Sequence, residues 1–168
     1  TRRLMTLMEG VSGVHWQPRE NLHLTLRFLG DLSMENAEDL DAELARITAP
    51  AFDLTLRGVG WFGIGDRVQN LHALSRPDPI LDGLKAQVDR ACKRAGQPPE
   101  PRKFVPHITL ARSRGLRLAT AQPWLEEHAD FQLKMGDVIG FHMISSHANG
   151  EGRAYRTEAS YALSQMWA

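Results

Sequence analysis

Two short stretches of the chain share one pattern: residues 21–30 read NLHLTLRFLG and residues 104–112 read FVPHITLAR. Each contains His, an apolar residue, Thr and Leu, and the two histidines, His23 and His107, stand 84 residues apart in a chain of 168. With 7 His and 8 Thr, chance gives about 0.06 such segments, and two of them by chance come to roughly 0.002. We therefore interpret the pair as functional, although either stretch alone is more simply an ordinary strand containing Thr.

The spacing within each stretch suits a β-strand, in which residues i and i+2 project from the same face. His23 therefore projects with Thr25, and His107 projects with Thr109, while the apolar residues between them pack behind. If the two strands face each other, two imidazoles and two hydroxyls converge on one site.

This set of side chains suits a phosphodiester substrate. A neutral imidazole can take a proton from water, and an imidazolium can give a proton to a leaving oxygen. Histidine serves both roles because its unperturbed pKa of about 6.5 allows both forms near neutrality. Each Thr hydroxyl can donate a hydrogen bond to a phosphate oxygen as negative charge develops. The chemistry calls for no metal and no cofactor.

The elements around the two stretches follow one order: a strand with the pattern, then a helix, then further strands. The periodicity predicts helices over residues 1–11, 34–48, 79–95 and 119–128, with Ser33 as an N-cap. It predicts strands over 22–29, 52–57, 68–74, 103–111 and 131–135, a glycine-rich bend at 58–66, and a hairpin of 137–145 with 153–163 joined by NGEG. Helices mixed with antiparallel strands predict the α+β class.

Composition limits the classes of function. Twenty basic residues balance twenty acidic residues, so no global positive field holds a long nucleic acid and any phosphate site must be local. The single cysteine, Cys92, excludes an internal disulfide and a multi-thiolate metal site, and it favours the cytoplasm. No apolar run approaches the ~20 residues of a membrane span.

The residues HLTLRFLG together with HITLAR are similar to the two signature motifs of the 2H phosphoesterase superfamily. Within it the chain most resembles the bacterial 2′-5′ RNA ligase / RNA 2′,3′-cyclic phosphodiesterase family, in the order of ENLHLTLRFLGDL, GVGWFG, FVPHITLARSR and a closing hairpin. The resemblance implies one domain over residues 1–168, with two pseudo-symmetric lobes, each an antiparallel sheet with helices, around a central cleft carrying both motifs. That family opens with an apolar strand before its first helix, and we expect this sequence to lack it.

The resemblance implies metal-independent hydrolysis of 2′,3′-cyclic phosphate ends of RNA or nucleotides to 2′-phosphomonoesters. We expect a monomer that needs no cofactor. His107 would activate the water, His23 would protonate the departing 3′ oxygen, and Thr25 and Thr109 would hold phosphate oxygens. Reversible 2′-5′ ligation of RNA ends would be a weaker side activity. Two alternatives remain open: a binding module for RNA ends or nucleotides without turnover, and a 2H enzyme acting on a small cyclic nucleotide.

Phe28 and Arg112 stand five residues beyond His23 and His107 respectively. The resemblance suggests that Phe28 contacts the nucleotide and that Arg112 contacts the phosphate. Strand parity opposes both roles, because an odd offset projects to the other face unless a bulge intervenes. Without one, Phe28 would be a core residue and Arg112 a solvated arginine.

Three further features each leave two interpretations open. Arg27 shares the parity of His23, and it either lines the cleft or caps its rim. His72 is either a structural residue or a liner of the pocket. A group of basic residues near the second stretch forms either a rim for an RNA end or ordinary surface charge: Arg102, Lys103, Arg112, Arg114 and Arg117.

Overall fold

The computed structural model describes residues 2–149 and 152–164. Its elements in chain order are α1 Arg2–Met5, β1 His15–Trp16, α2 Met34–Leu44, β2 Phe52–Ile64, β3 Arg67–Ser75, α3 Pro79–Arg94, β4 His107–Arg117, α4 Leu118–Glu127, β5 Gln132–Val138, β6 Gly140–Asn149 and β7 Gly152–Ala162. The α+β class is confirmed. Gly150 and Glu151, in the predicted turn of the last hairpin, lie outside the described residues.

The chain divides into two compact units, and each unit draws on three separate stretches of sequence. The first unit comprises the residues up to Thr25, Leu54–Arg76 and Val105–Gly136. The second comprises Leu26–Asp53, Pro77–Phe104 and the residues from Asp137 onward. The chain therefore passes between the units several times, and both histidine–threonine pairs belong to the first unit instead of one pair to each.

The first unit is built on an antiparallel sheet with the strand order β1-β4-β3-β2-β5. One face of this sheet packs with the helical segments in a core that includes Leu4, Leu7, Leu71, Ile108, Leu110 and Trp124. Trp124 is buried, and its Nε1 donates to the carbonyl oxygen of Leu7 at 2.9 Å, so its polar atom is satisfied. Apolar residues thus occupy one side of the strands and leave the other side for polar ones.

The glycine-rich segment 58–66 does not form the predicted bend. β2 continues through it to Ile64 and stays paired with β3. Gly58 has a φ of 75° at a register shift between Leu56 and Val59, which is a β-bulge in a conformation that glycine adopts without strain. The segment therefore distorts one strand rather than separating two, and it sets Phe62 opposite Asn70 of β3.

The prediction of a strand over residues 22–29 is wrong. The segment makes a single isolated bridge, between Leu24 and Ile108 of β4. β3 occupies one edge of β4, so this bridge continues the other edge, where β1 pairs. β1 stops before Pro18, which has no amide hydrogen to donate, and a 3₁₀ turn over Arg19–Asn21 follows. Pairing along this edge of β4 resumes only at Leu24.

The second unit contains α2, α3 and the β6–β7 hairpin. Ser33 caps α2 as predicted, since its side chain accepts a hydrogen bond from the amide of Asn36 at 3.2 Å. Asp78 caps α3, Pro79 is its first residue, and Gly96 with a φ of 73° follows its end. None of the helices among residues 2–149 and 152–164 has the length and apolar character needed to cross a membrane.

Arg27 is a largely buried residue of the second unit, and its place at the lining or the rim of a cleft stays a prediction. Its side chain is 6% exposed, and its Nη1 donates to Asp89 Oδ1 at 2.8 Å, while its Nη2 donates to the carbonyl of Pro98. Lys85 donates to the same carboxylate at 2.5 Å. Burial would raise the pKa of Asp89, but the two cations outweigh it and hold that pKa below its ordinary value.

We expect Arg27→Ala to lower the free energy of unfolding by about 2–3 kcal/mol, because it removes a buried guanidinium and its charge-assisted hydrogen bond to the partly buried carboxylate of Asp89. Urea unfolding measures the change. Arg46→Ala is the matched control, since Arg46 makes an exposed pair with Glu43 at 2.8 Å and should cost less than about 1 kcal/mol. Equal losses in the two variants would contradict the structural role of Arg27.

Candidate active site

The two histidines of the repeated pattern make the same local hydrogen bond. His23 Nδ1 lies 2.7 Å from the carbonyl oxygen of Asn21, and His107 Nδ1 lies 2.7 Å from that of Val105. A carbonyl oxygen only accepts, so each Nδ1 carries the hydrogen. The bond fixes the tautomer of each neutral ring, so that Nε2 is the nitrogen able to accept a proton.

The bridge between Leu24 and Ile108 brings the two stretches together. Its antiparallel register, carried one residue in each direction, sets each histidine opposite the threonine of the other stretch: His23 with Thr109, and Thr25 with His107. Residues directly opposite each other have Cβ atoms about 4.5–5.5 Å apart. Leu24 and Ile108 pack into the core, so the four polar side chains project from the other face.

A β-bulge carries Arg112 to this same face. Between Thr109 and Ala111 the pairing of β4 with β3 shifts by one residue, so that Leu110 is extra. Leu110 and Ala111 are both buried, and alternation then returns Arg112 to the side of Thr109. Simple alternation from His107 would place Arg112 on the opposite face, and the bulge at Leu110 reverses this. Its contact with phosphate stays a prediction.

The imidazole of His107 packs against two other rings. Its centroid lies 4.7 Å from that of His72 and 5.0 Å from that of Phe62, which meets it edge-on. Burial is the main cause that lowers the pKa of His107; the bond to the carbonyl oxygen opposes it, and the charges of Arg112 and His23 add to the lowering. The site therefore favours neutral His107, which is the form that accepts a proton.

His72 is a structural member of this group of rings. It is 2% exposed, and its Nδ1 lies 2.9 Å from Asn70 Oδ1. Burial, together with the charge of His107, lowers its pKa to about 3, so it stays neutral at the pH of the cell. Gly60 makes room for it, since a Cβ at that position would lie 2.7 Å from His72 Nε2. His72 forms a wall against His107 and does not exchange protons.

Sequence reasoning missed Phe62. It stands in the glycine-rich segment that the sequence predicts as a bend, whereas β2 runs through this segment and carries the ring over His72, with 4.4 Å between the centroids. The available signal was the alternation of glycine with larger residues, which also suits a strand whose small positions admit a neighbouring ring.

Phe28 belongs to the second unit, and it is 58% exposed rather than part of the core. The guanidinium of Arg102 lies 5.3 Å from the centre of its ring, and Glu100 accepts from Arg102 Nε at 2.9 Å. A cavity of about 160 Å³ lies beside Phe28 and is lined by residues 27–29 and 97–101. An exposed ring is available for stacking, and the contact of Phe28 with a nucleotide stays a prediction.

The described part of the chain, residues 2–149 and 152–164, contains no group of three His, Cys, Asp or Glu side chains placed to hold a metal ion. The polar face instead brings together the imidazoles of His23 and His107, two hydroxyls and a guanidinium, beside the neutral ring of His72. These are donors and proton carriers suited to an anionic ester.

A curved antiparallel sheet that presents two histidine–threonine pairs on one face defines a phosphoesterase of the 2H type. The chain belongs to the LigT-like phosphoesterase family, whose model matches residues 1–70 and 75–150. The resemblance noted in the sequence is thus confirmed.

Individual relatives cover most of the chain. The RNA 2′,3′-cyclic phosphodiesterase of Aeropyrum pernix is 32% identical over 140 residues, which cover 82% of this chain and 80% of the relative. The enzyme of the same name from Escherichia coli is 33% identical over 149 residues, which cover 87% and 78%. The crystal structure of E. coli LigT complexed with 3′-AMP matches with a TM-score of 0.72 at 26% identity and covers 98% of this chain and 89% of that one.

Proposed function

We propose that the protein hydrolyses 2′,3′-cyclic phosphate ends of RNA or nucleotides to 2′-phosphomonoesters. The observation that carries the proposal is the placement of two histidine–threonine pairs on one face, with both Nδ1 atoms held by carbonyl oxygens. The names of the relatives from A. pernix and E. coli support this substrate, and the 3′-AMP bound to E. coli LigT supports a nucleotide ligand.

In the proposed mechanism His107 is the general base and His23 the general acid. Neutral His107 accepts a proton at Nε2 from water as the water oxygen bonds to phosphorus, and its lowered pKa favours this form. Protonated His23 gives a proton to the 3′ oxygen as the bond between phosphorus and that oxygen breaks. The products are a 2′-phosphomonoester and a 3′-hydroxyl, and exchange with solvent then restores both histidines.

Thr25, Thr109 and Arg112 have the proposed task of holding the phosphate. Each hydroxyl lies beside a catalytic imidazole and can donate to a non-bridging oxygen, where negative charge increases in the transition state. Arg112, on the same face, adds a charged donor. These groups would stabilise the transition state without exchanging protons.

The same steps run with a different nucleophile. If the 5′-hydroxyl of a second RNA takes the place of water, His107 accepts its proton and a 2′-5′ linkage forms. We propose this ligation as a weaker side activity, since water is always in excess. We further propose that the protein acts as a monomer in the cytoplasm, where a reducing environment suits its buried, unpaired Cys92.

Phosphorus NMR of the product tests the proposal directly. Incubation with a nucleoside 2′,3′-cyclic phosphate in EDTA is expected to yield the 2′-monophosphate at a rate that the chelator does not change, because two histidines supply the acid and the base. A 3′-monophosphate would show that the other ester bond is cut and would contradict the proposed leaving oxygen. Binding without product would favour the nucleotide-binding module.

A further inference from the structure

A groove of about 700 Å³ lies on the first unit at the end of β3 and β4 that is remote from the two histidines. It is lined by Ile64, Arg67, Gln69, Arg112, Ser113, Arg114 and Gly115.

A second irregularity in the pairing of β3 with β4 shapes this groove. Three residues of β4, 113–115, stand opposite the single residue Gln69 of β3. Ser113 donates from Oγ to the carbonyl of Val68 and accepts from the amide of Leu116 at 3.1 Å, while Gly115 has a φ of 101°. The bulge is therefore held by its own hydrogen bonds, which gives the groove a defined shape.

The groove carries positive charge that neighbouring carboxylates do not cancel. Asp66 pairs with Arg67 at 3.6 Å and with Arg117 at 3.5 Å, so one carboxylate serves two cations. Within residues 2–149 and 152–164, Arg112 and Arg114 make no ion pair. Both are exposed, so they are available to an anion from solvent.

Arg112 connects the groove with the candidate active site. It lines the groove and, through the bulge at Leu110, also lies on the face that carries Thr109 and His107. A chain of phosphates that has its terminal group at the histidines can thus continue past Arg112 to Arg114 and Arg67. Such regularly spaced phosphates are the anions of a nucleic acid strand.

We propose that this groove binds the sugar–phosphate backbone of the RNA strand that leads to the cyclic phosphate; the proposal rests on the proposed function. Arginine side chains bind phosphates without regard to base sequence. The exposed Ile64 offers an apolar surface to a ribose or a base. The preferred substrate is then an RNA strand with a cyclic phosphate end, rather than a mononucleotide.

Kinetics with two substrates test the groove. For the wild type we expect kcat/KM to be about tenfold higher for a short oligonucleotide with a cyclic phosphate end than for the nucleoside 2′,3′-cyclic phosphate. Arg114→Gln should reduce this ratio about threefold to tenfold, and Arg114→Lys should restore most of it because the charge remains. The control is Arg57→Gln, an exposed arginine of β2 seven residues from Ile64 along the strand, which should keep the ratio.

A binding measurement separates failure of the groove from failure of the proposed function. An oligonucleotide with a 2′-phosphate end is titrated at several salt concentrations, and Arg114→Gln is expected to reduce the slope of log affinity against log salt by about 0.7. If Arg114→Gln hydrolyses both substrates with the wild-type ratio of kcat/KM and binds with the wild-type salt slope, the proposal for the groove is wrong and the proposed function stands. A slope that falls in Arg114→Gln, in a protein that hydrolyses neither substrate, would support the groove and overturn the proposed function.

Discussion

Replacement of either His23 or His107 by alanine is expected to lower kcat/KM for a nucleoside 2′,3′-cyclic phosphate by about 10²- to 10⁴-fold, the loss typical of a missing acid or base. Neither residue lies in the hydrophobic core, so circular dichroism should show a folded protein in both variants. The matched control is His142→Ala on β6, an exposed histidine whose Nδ1 lies 2.8 Å from Ser160 Oγ. Near-full turnover by either catalytic variant would refute the paired-histidine mechanism.

The pH dependence gives the two histidines different signatures. His107 works as the neutral base, so kcat/KM should fall as the pH drops through its pKa, which lies below the ordinary 6.5. The residual activity of His107→Ala should lose this acidic limb, whereas that of His23→Ala should keep it. The opposite pattern would exchange the two roles.

Removal of the His72 ring is expected to have the second largest effect. His72→Ala should lower kcat/KM at pH 5 by about tenfold, because water entering beside His107 raises its pKa toward the ordinary value and shifts the acidic limb upward. The loss of a buried ring should also destabilise the protein by about 3 kcal/mol, which urea unfolding would measure.

His72→Phe provides the control for this effect. It keeps a ring against His107 and Phe62 but cannot bond to Asn70. We expect the acidic limb to stay close to that of the wild type, since the phenyl ring still keeps water away from His107 and no titrating group is needed for this. An acidic limb that is unchanged in His72→Ala, or that moves equally in both variants, would show that the ring does not set the pKa of His107.

The placement of the two histidine–threonine pairs followed from the sequence, because it depends on local spacing. His and Thr at i and i+2 project together from any extended backbone, so the two pairs lie on one face although residues 22–29 form only a single bridge. The N-cap at Ser33 and the extent of α3 were likewise predictable, since a helix is determined by residues close in sequence.

The features that the sequence did not reveal depend on partners far along the chain. The face on which Arg112 lies is decided by a bulge against β3, about 40 residues earlier. The burial of Arg27 depends on Asp89 and on the carbonyl of Pro98, neither of which its own neighbours indicate. Phe62 was overlooked because glycines suggest a turn, whereas here they accommodate a ring.

The hydrogen bonds that hold His23 and His107 end on the main chain, two residues before each ring. Many enzymes orient a catalytic histidine with a carboxylate, and a single substitution can remove it. Here every amino acid at position 21 or 105 brings the same carbonyl oxygen. The correct tautomer is therefore inherited with the path of the backbone, so sequence drift beside the histidines leaves it intact, while an insertion or deletion of one residue there would destroy it.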